Sequence, residues 1–331
     1  MTSSALPFLD RLVLPLIAAP MLRVSGIELV SAACRAGIVG AFPTPNAHTI
    51  DELESWLTRL DREAASARDA GRPFGPYCPN LIMRRDPAQL LEAAQRFVAH
   101  RTEVVITSVG SPAAVMPVLR DGAVKVLCDV ATIRHAEKAL ELGVDGLVLL
   151  TAGAGGNTGW VNPFAFVRAV REFYDGPVVL SGGLADGVAL RAAITLGCTL
   201  GNMGTRFIAT QESMAAPAYK QMLVDSSLDD VILTRALTGM PSNWLRGSLV
   251  NAGLDPEHLP EQTDPDEARS KYGRGNQSGR PERWSAIWSA GHSVSGVHDV
   301  PSVAQVVERL KMEFDGARAP GVMEPFRNHD R

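Results

Sequence analysis

The sequence predicts an α/β protein, a (β/α)₈ barrel of the TIM type followed by a smaller C-terminal helical and loop subdomain. Three observations predict it. Short β-rich apolar runs alternate with helix-period segments through the first two-thirds of the chain. The runs are apolar throughout, as strands are when both faces of a sheet are covered. The last two runs each end in a glycine turn of the kind that receives a phosphate at the C-terminal mouth of a barrel.

Taken in order, strands are expected at 14–19, 38–42, 75–81, 104–109, 125–130, 146–150, 177–181 and 199–203. Helices are expected between them at 27–36, 50–67, 87–100, 112–119, 133–142, 163–173 and 188–196. In 133–142 the apolar Ile133, Ala136 and Leu140, with the flanking Val144, share one side, charges take the other, and Gly143 ends the helix. A helix between each pair of strands implies parallel pairing, because a parallel crossover must return the chain. An open doubly wound sheet would satisfy the same pattern, but eight units and the two terminal glycine turns favour closure. Residues 1–214 are assigned to the barrel and 215–331 to a subdomain packing at its mouth. Within that subdomain 215–283 reads as mixed helix and loop, with 264–283 a long surface loop. A helix at 302–314 and a frayed end at 320–331 complete the reading.

The 331 residues are 46% hydrophobic and 21% charged, ample for a core. A net charge of −4 and the lack of any basic stripe argue against nucleic acid or an anionic membrane surface as partner. No run approaches the ~18 apolar residues of a membrane span, and the first ten residues do not resemble a secretion signal. A cytoplasmic protein with a small-molecule substrate is therefore expected, with homodimer formation left open. Cys34, Cys78, Cys128 and Cys198 lie far apart in or beside apolar runs and read as buried reduced thiols.

A barrel carries its chemistry at the C-terminal ends of its strands. Those ends are Pro20-Met21-Leu22, Asn80-Leu81-Ile82, Asp129, the loop Gly153–Gly159, Ser181-Gly182-Gly183 and Gly204-Thr205-Arg206. Glycines let backbone amides approach a phosphate closely, and Thr205 adds a hydroxyl. Arg206 either adds charge there or points to the barrel exterior. The loop Gly153–Gly159 has the spacing G-x-G-G-x-x-G, follows a sixth strand and opens no helix, which sets it apart from a dinucleotide fingerprint. It suits close passage of backbone past a flat ring.

These residues carry a resemblance. Ala19-Pro20-Met21, the Gly-Gly plus polar residue after the sixth strand, SGGLADG, NMGTRFIATQES, Thr238-Gly239-Met240-Pro241, Leu245-Arg246 and Ile287–Gly291 together resemble the nitronate monooxygenase (2-nitropropane dioxygenase-like) flavoproteins. The likeness runs from about residue 14 to 296. It implies an FMN-dependent oxidoreductase with the cofactor held non-covalently at the barrel mouth. Pro20, Met21 and Leu22 would border the ring, Asn80 and Ile82 would lie near ring or ribityl chain, and Gly155 and Gly156 would press on the ring face. Ser181, Gly182, Gly183, Gly204 and Thr205 would cradle the phosphate.

Two positions depart from the family pattern. Where the family has a histidine after Gly-Gly, this chain has Asn157, which hydrogen-bonds but does not exchange a proton near neutral pH. Where some members place a lysine near the flavin pyrimidine, Asp129 aligns. A carboxylate there would oppose negative charge on the reduced ring, so Asp129 is expected to point elsewhere or to shape a different substrate pocket. His48 and His292 are the nearest substitutes for the missing base. His135 reads as a surface residue, and Trp160 and Tyr77 as rim aromatics able to stack on a ligand. The resemblance implies oxidation of a nitronate-like anion with O2, with Asn157 donating to the substrate oxygen. An NAD(P)H-dependent quinone or enoyl reductase on the same scaffold is the alternative. A non-redox isomerase or lyase of a phosphorylated substrate, and a flavin binder without turnover, are the rivals from other classes.

Overall fold

The computed structural model describes residues 6–261 and 263–317; the stretch 320–331, expected to fray, lies outside the described residues. Eight parallel strands close into a barrel: β1 (Leu16–Ala18), β2 (Val39–Pro43), β3 (Tyr77–Ile82), β4 (Val104–Ser108), β5 (Lys125–Val130), β6 (Gly146–Leu150), β8 (Val178–Ser181) and β9 (Leu200–Met203). The two-residue strand β7 (Gly156–Asn157) lies outside the wall. Closure is made by β9 pairing back on β1 through Leu16↔Gly201, Ile17↔Asn202 and Ala18↔Met203.

The crossover helices are α1 (Ile27–Arg35), α2 (Ile50–Asp69), α3 (Pro87–Ala99), α4 (Met116–Asp121), α5 (Ile133–Glu141), α6 (Pro163–Arg171) and α7 (Gly187–Leu196). Their starts are written locally. Thr49, Asp86, Thr132, Asn162 and Asp186 each accept a backbone N–H of the first turn, and Pro87 and Pro163 occupy first helical positions. Gly197, at φ 116°, ends α7 in the left-handed region.

Strand residues alternate between two apolar layers. Ile17, Val39, Ala41, Cys78, Val104, Ile106, Leu127, Val148, Val179 and Leu200 fill the barrel interior together with Leu6 and Phe8. The other face packs on the helices. All four cysteines are buried and free.

After the short helix α8 (Thr205–Ile208) come α9 (Pro217–Asp225), β10 (Val231–Thr234), β11 (Ser242–Leu245), α10 (Arg246–Asn251), α11 (Pro265–Tyr272) and finally α12 (Val303–Gly316). Two expectations for this part are corrected. The stretch 215–283, read as helix and loop, contains a hairpin, and β11 adds β7 to make a three-stranded antiparallel sheet ordered β10-β11-β7. The stretch 264–283, read as a surface loop, contains α11, which Asp264 caps and which buries Ala268 and Tyr272. Helix α12 returns to the barrel wall: Val303, Val306, Val307, Leu310 and Phe314 join the main core, Phe314 lies under the Arg191 guanidinium, and Glu313 accepts the Gly187 N–H. No helix among the described residues is long and apolar enough to cross a membrane.

Candidate active site

A large cavity of about 1310 Å³ opens at the C-terminal mouth of the barrel. Single-ligand pockets typically measure ~300–1,000 Å³, so this one has room for a flat cofactor and a second ligand together. Pro20, Met21, Leu22, Asn80, Ile82, Asp129, Gly155, Gly156, Asn157, Ser181, Gly182, Gly183, Gly204 and Thr205 all line it.

The side next to β8 and β9 is built for an anion. Gly182 (φ 122°) and Gly183 (φ 74°) turn the chain sharply after β8. A Cβ on Gly182 would lie 2.7 Å from Thr151 Oγ1, whereas one on Gly183 would meet open space. The N–H groups of Gly182, Gly183, Gly204 and Thr205 make no hydrogen bond among the described residues. Four free donors facing one cavity are what a phosphate requires. Thr205 Oγ1 accepts the Gly291 N–H at 2.9 Å, which leaves its hydroxyl hydrogen free to donate. Arg206 does not join them: it is buried on the outer side, 3.6 Å from Asp299.

Beside the cradle is the loop that carries β7, since β6 and β8 are paired neighbours and Gly182 packs against Thr151 and Ala154. Gly155 passes so close to Ala290 and Gly291 that a Cβ would lie 2.8 Å from the Gly291 nitrogen. Gly156, at φ 67°, passes the Trp284 ring, which packs on Trp244 at 4.4 Å. Gly156 pairs with Asn243 and Asn157 with Ser242, and Thr158 Oγ1 donates to Thr151 O at 2.9 Å. The loop is therefore fixed from both sides. Asn157 Oδ1 is buried with no hydrogen-bond partner, and so is Asn202 Oδ1, whose amide nitrogen donates to Ser181 Oγ at 3.0 Å. Buried amide oxygens left alone are costly, so each is a place where a ligand hydrogen is wanted.

Across the mouth, Asn80 and Ser108 hydrogen-bond each other at 3.0 Å. Beside them Asp129 lines the cavity, in keeping with the second of the two expectations for it, that it shapes a pocket at the mouth. Burial alone pushes its carboxyl up to about 7. Raised proton affinity lessens the objection to a carboxyl at this position, because the group is less fully ionised near neutrality than an ordinary aspartate.

The other candidates fall away from the cavity. Tyr77 begins β3 at the opposite end of the barrel, where its hydroxyl donates to Asp61 at 2.7 Å. His48 and His292 are exposed and outside the lining, the latter packed on the outer face of Gly153. His135 and Trp160 reach only the outer lining, Trp160 being 78% exposed. Ser108 was not singled out from sequence, and Asn202 entered only as part of the NMGTRFIATQES motif, without a role of its own. Both stand at the ends of barrel strands, so reading every strand end for polar residues would have found them.

The sequence profile of the nitronate monooxygenases matches residues 79–313. The chain belongs to the nitronate monooxygenase family. The nitronate monooxygenase of Paraburkholderia phytofirmans is 24% identical over 351 residues, covering 92% of this chain and 94% of that protein. The (3aS,4S,5R,7aS)-5-hydroxy-7a-methyl-1-oxo-octahydro-1H-indene-4-carboxyl-CoA dehydrogenase of Mycobacterium tuberculosis is 28% identical over 239 residues, 71% of this chain. The chain spans 64% of the length of that relative. Among solved structures, nitroalkane oxidase from Streptomyces ansochromogenes superposes with a TM-score of 0.75 at 25% identity, over 95% of this chain and 99% of that one. FabK from Thermotoga maritima superposes with a TM-score of 0.74 at 25% identity, over 95% and 97%. Family and relatives favour an oxidoreductase over the isomerase and lyase rivals. FMN is the usual cofactor of the family. The residues present fit it: free amides for a phosphate, unpartnered amide oxygens for ring or ribityl hydrogens, and glycine backbone where a flat ring must pass.

Proposed function

We propose that this nitronate monooxygenase-like chain holds FMN at the barrel mouth and oxidises a small organic anion of the nitronate type with O2. The observation that carries the reading is the set of unpaired amides at Gly182, Gly183, Gly204 and Thr205, which line one cavity together with the glycine loop of Asn157. Bound FMN would supply the two-electron acceptor that no side chain here provides. Gly182, Gly183, Gly204 and Thr205 bind its phosphate, Pro20, Met21 and Leu22 border the ring, and Asn80 and Ile82 flank ring or ribityl chain. Gly155 and Gly156 close over the ring and exclude water.

Asn157 orients the substrate. Its carboxamide offers a donor and an acceptor, and a half-turn of the amide presents N–H to a substrate oxygen. Asp129 handles protons. No hydrogen bond to its carboxylate occurs among the described residues, and its value of about 7 suits exchange near neutral pH. The family histidine is thus replaced by two residues that divide its work.

The test is the visible spectrum of the purified protein, followed by anaerobic addition of ethyl nitronate, NADH or NADPH. Bleaching by the nitronate is the expected result. A protein that takes up no flavin contradicts the FMN reading, and bleaching by a pyridine nucleotide alone replaces the oxidase with a reductase. A second reading, a dehydrogenase or NAD(P)H-linked reductase acting on a larger substrate, is favoured by the volume of the cavity and by the carboxyl-CoA dehydrogenase relative.

A further inference from the structure

The lining of the mouth is not uniform in charge. Arg84 and Arg85 follow β3, Arg269 stands on α11, Arg283 precedes Trp284, and all four line the cavity. This is a cationic arc on a chain of net charge −4. In the closed strand order, β3 and β4 lie across the barrel from β8 and β9, so the arc faces the phosphate cradle from the far rim.

None of the four makes an ion pair among the described residues, and the acids on the same lining, Asp129, Glu141 and Asp266, leave them unneutralised. Arg283 is held in place by the Leu237 carbonyl. Partial loss of water, reinforced by the charge of Arg269, holds the guanidinium groups of the rim residue Arg85 and the more enclosed Arg283 below the usual arginine range. Like charges held together without a counter-charge repel, and an arrangement of this kind is relieved by a bound polyanion. Guanidinium forks match phosphate oxygens in geometry as well as in sign.

We propose that Arg85, Arg269 and Arg283 form a second anion site that binds the pyrophosphate of an adenine-nucleotide-bearing ligand, whose reactive end reaches into the cavity. Two sources share this chemistry: the coenzyme A handle of an acyl thioester substrate, and a reduced pyridine dinucleotide. The inference rests on the reading of the cavity as a flavin site. The cradle beside β8 and β9 holds one phosphate, and the arc on the far rim holds another ligand's.

The experiment titrates FMN-loaded protein separately with coenzyme A and with NADP+, at low and at high salt, and repeats both with the Arg85→Ala/Arg269→Ala variant. Both side chains are exposed, so the variant is expected to fold and to keep its flavin spectrum. At least one ligand should saturate, bind more weakly at high salt as screening shortens the reach of the rim charges, and lose affinity about tenfold or more in the variant. Saturation by coenzyme A identifies a thioester substrate, and saturation by NADP+ an electron donor. If the yellow protein binds neither, or the variant binds as tightly as the parent, the arc is not a nucleotide site. A colourless protein would count against the flavin reading instead, and the same titrations on it still decide whether the arc binds.

Discussion

Replacing Asp129 by asparagine removes a carboxyl that lines the cavity while keeping its shape. Burial lifts that carboxyl from 3.8 to about 7 in the folded protein. At about 1.4 kcal/mol per pH unit, the folded state at high pH bears about 4 kcal/mol from holding this charge out of water. Below pH 4 both folded and unfolded chains carry the proton, and the residue has no pH-dependent effect. Between 4 and 7 the unfolded chain releases its proton while the folded chain keeps it, so the parent loses stability as pH rises. Above 7 both are ionised and the loss is constant. The stability of Asp129→Asn relative to the parent should therefore climb by about 2 kcal/mol between pH 5 and 7 and level off by about pH 8. Urea unfolding of both proteins at pH 5, 6, 7 and 8 measures this. The same substitution should flatten an inflection near pH 7 in the kcat/KM profile for a neutral carbon-acid substrate, while a preformed anion is oxidised by both proteins. Unfolding curves that stay parallel from pH 5 to 8 would refute the account of Asp129 as a desolvated, proton-exchanging group.

Three further outcomes are expected. Gly182→Ala, whose Cβ would sit 2.7 Å from Thr151 Oγ1, should lower Tm well beyond Gly183→Ala, which meets open space and bears only the ~1 kcal/mol of a positive φ; equal thermal shifts would mean that the turn is not packed as described. Asn157→His should raise turnover of neutral nitroalkanes about tenfold or more if the family base works from this position, as read by initial rates of O2 uptake; an unchanged rate shows that the position only orients. At the other end of the barrel burial pushes the His100 imidazolium down, but the carboxylates of Asp61 and Glu54 outweigh this and hold it above 6.5. Its stabilisation is present below 6.5 and lost as pH rises through the folded value, so His100→Gln should destabilise at pH 6 and matter less at pH 9 by thermal unfolding.

The barrel and most of its mouth were legible because both repeat simple local rules. Each strand is a short apolar run, each crossover helix starts at a residue such as Thr49, Asp86 or Asp186 that caps its own first turn, and each site residue sits where a strand ends. What stayed hidden was non-local. Gly156 and Asn157 are too few to read as a strand, and they become one only because Ser242 and Asn243 arrive from far along the chain. Helix α11 is polar in sequence and is recognisable mainly by the Asp264-Pro265 start, since only Ala268 and Tyr272 are buried in it. The raised proton affinity of Asp129 could not be read from sequence for a related reason. Sequence gives its position on β5, whereas the loss of water that neutralises it depends on everything gathered around the mouth.

The pairing of β7 with β11 carries a consequence for how the protein is made. Every barrel strand has emerged by Met203, so a nascent chain can close its wall before residues 242–245 exist. The segment bearing Asn157 then stays without its clamp until the hairpin and the Ala290-Gly291 backbone come off the ribosome. The Asn157 side of the mouth would in that case be finished late in biogenesis, and chains released early would lack both this clamp and the α12 side chains that complete the core.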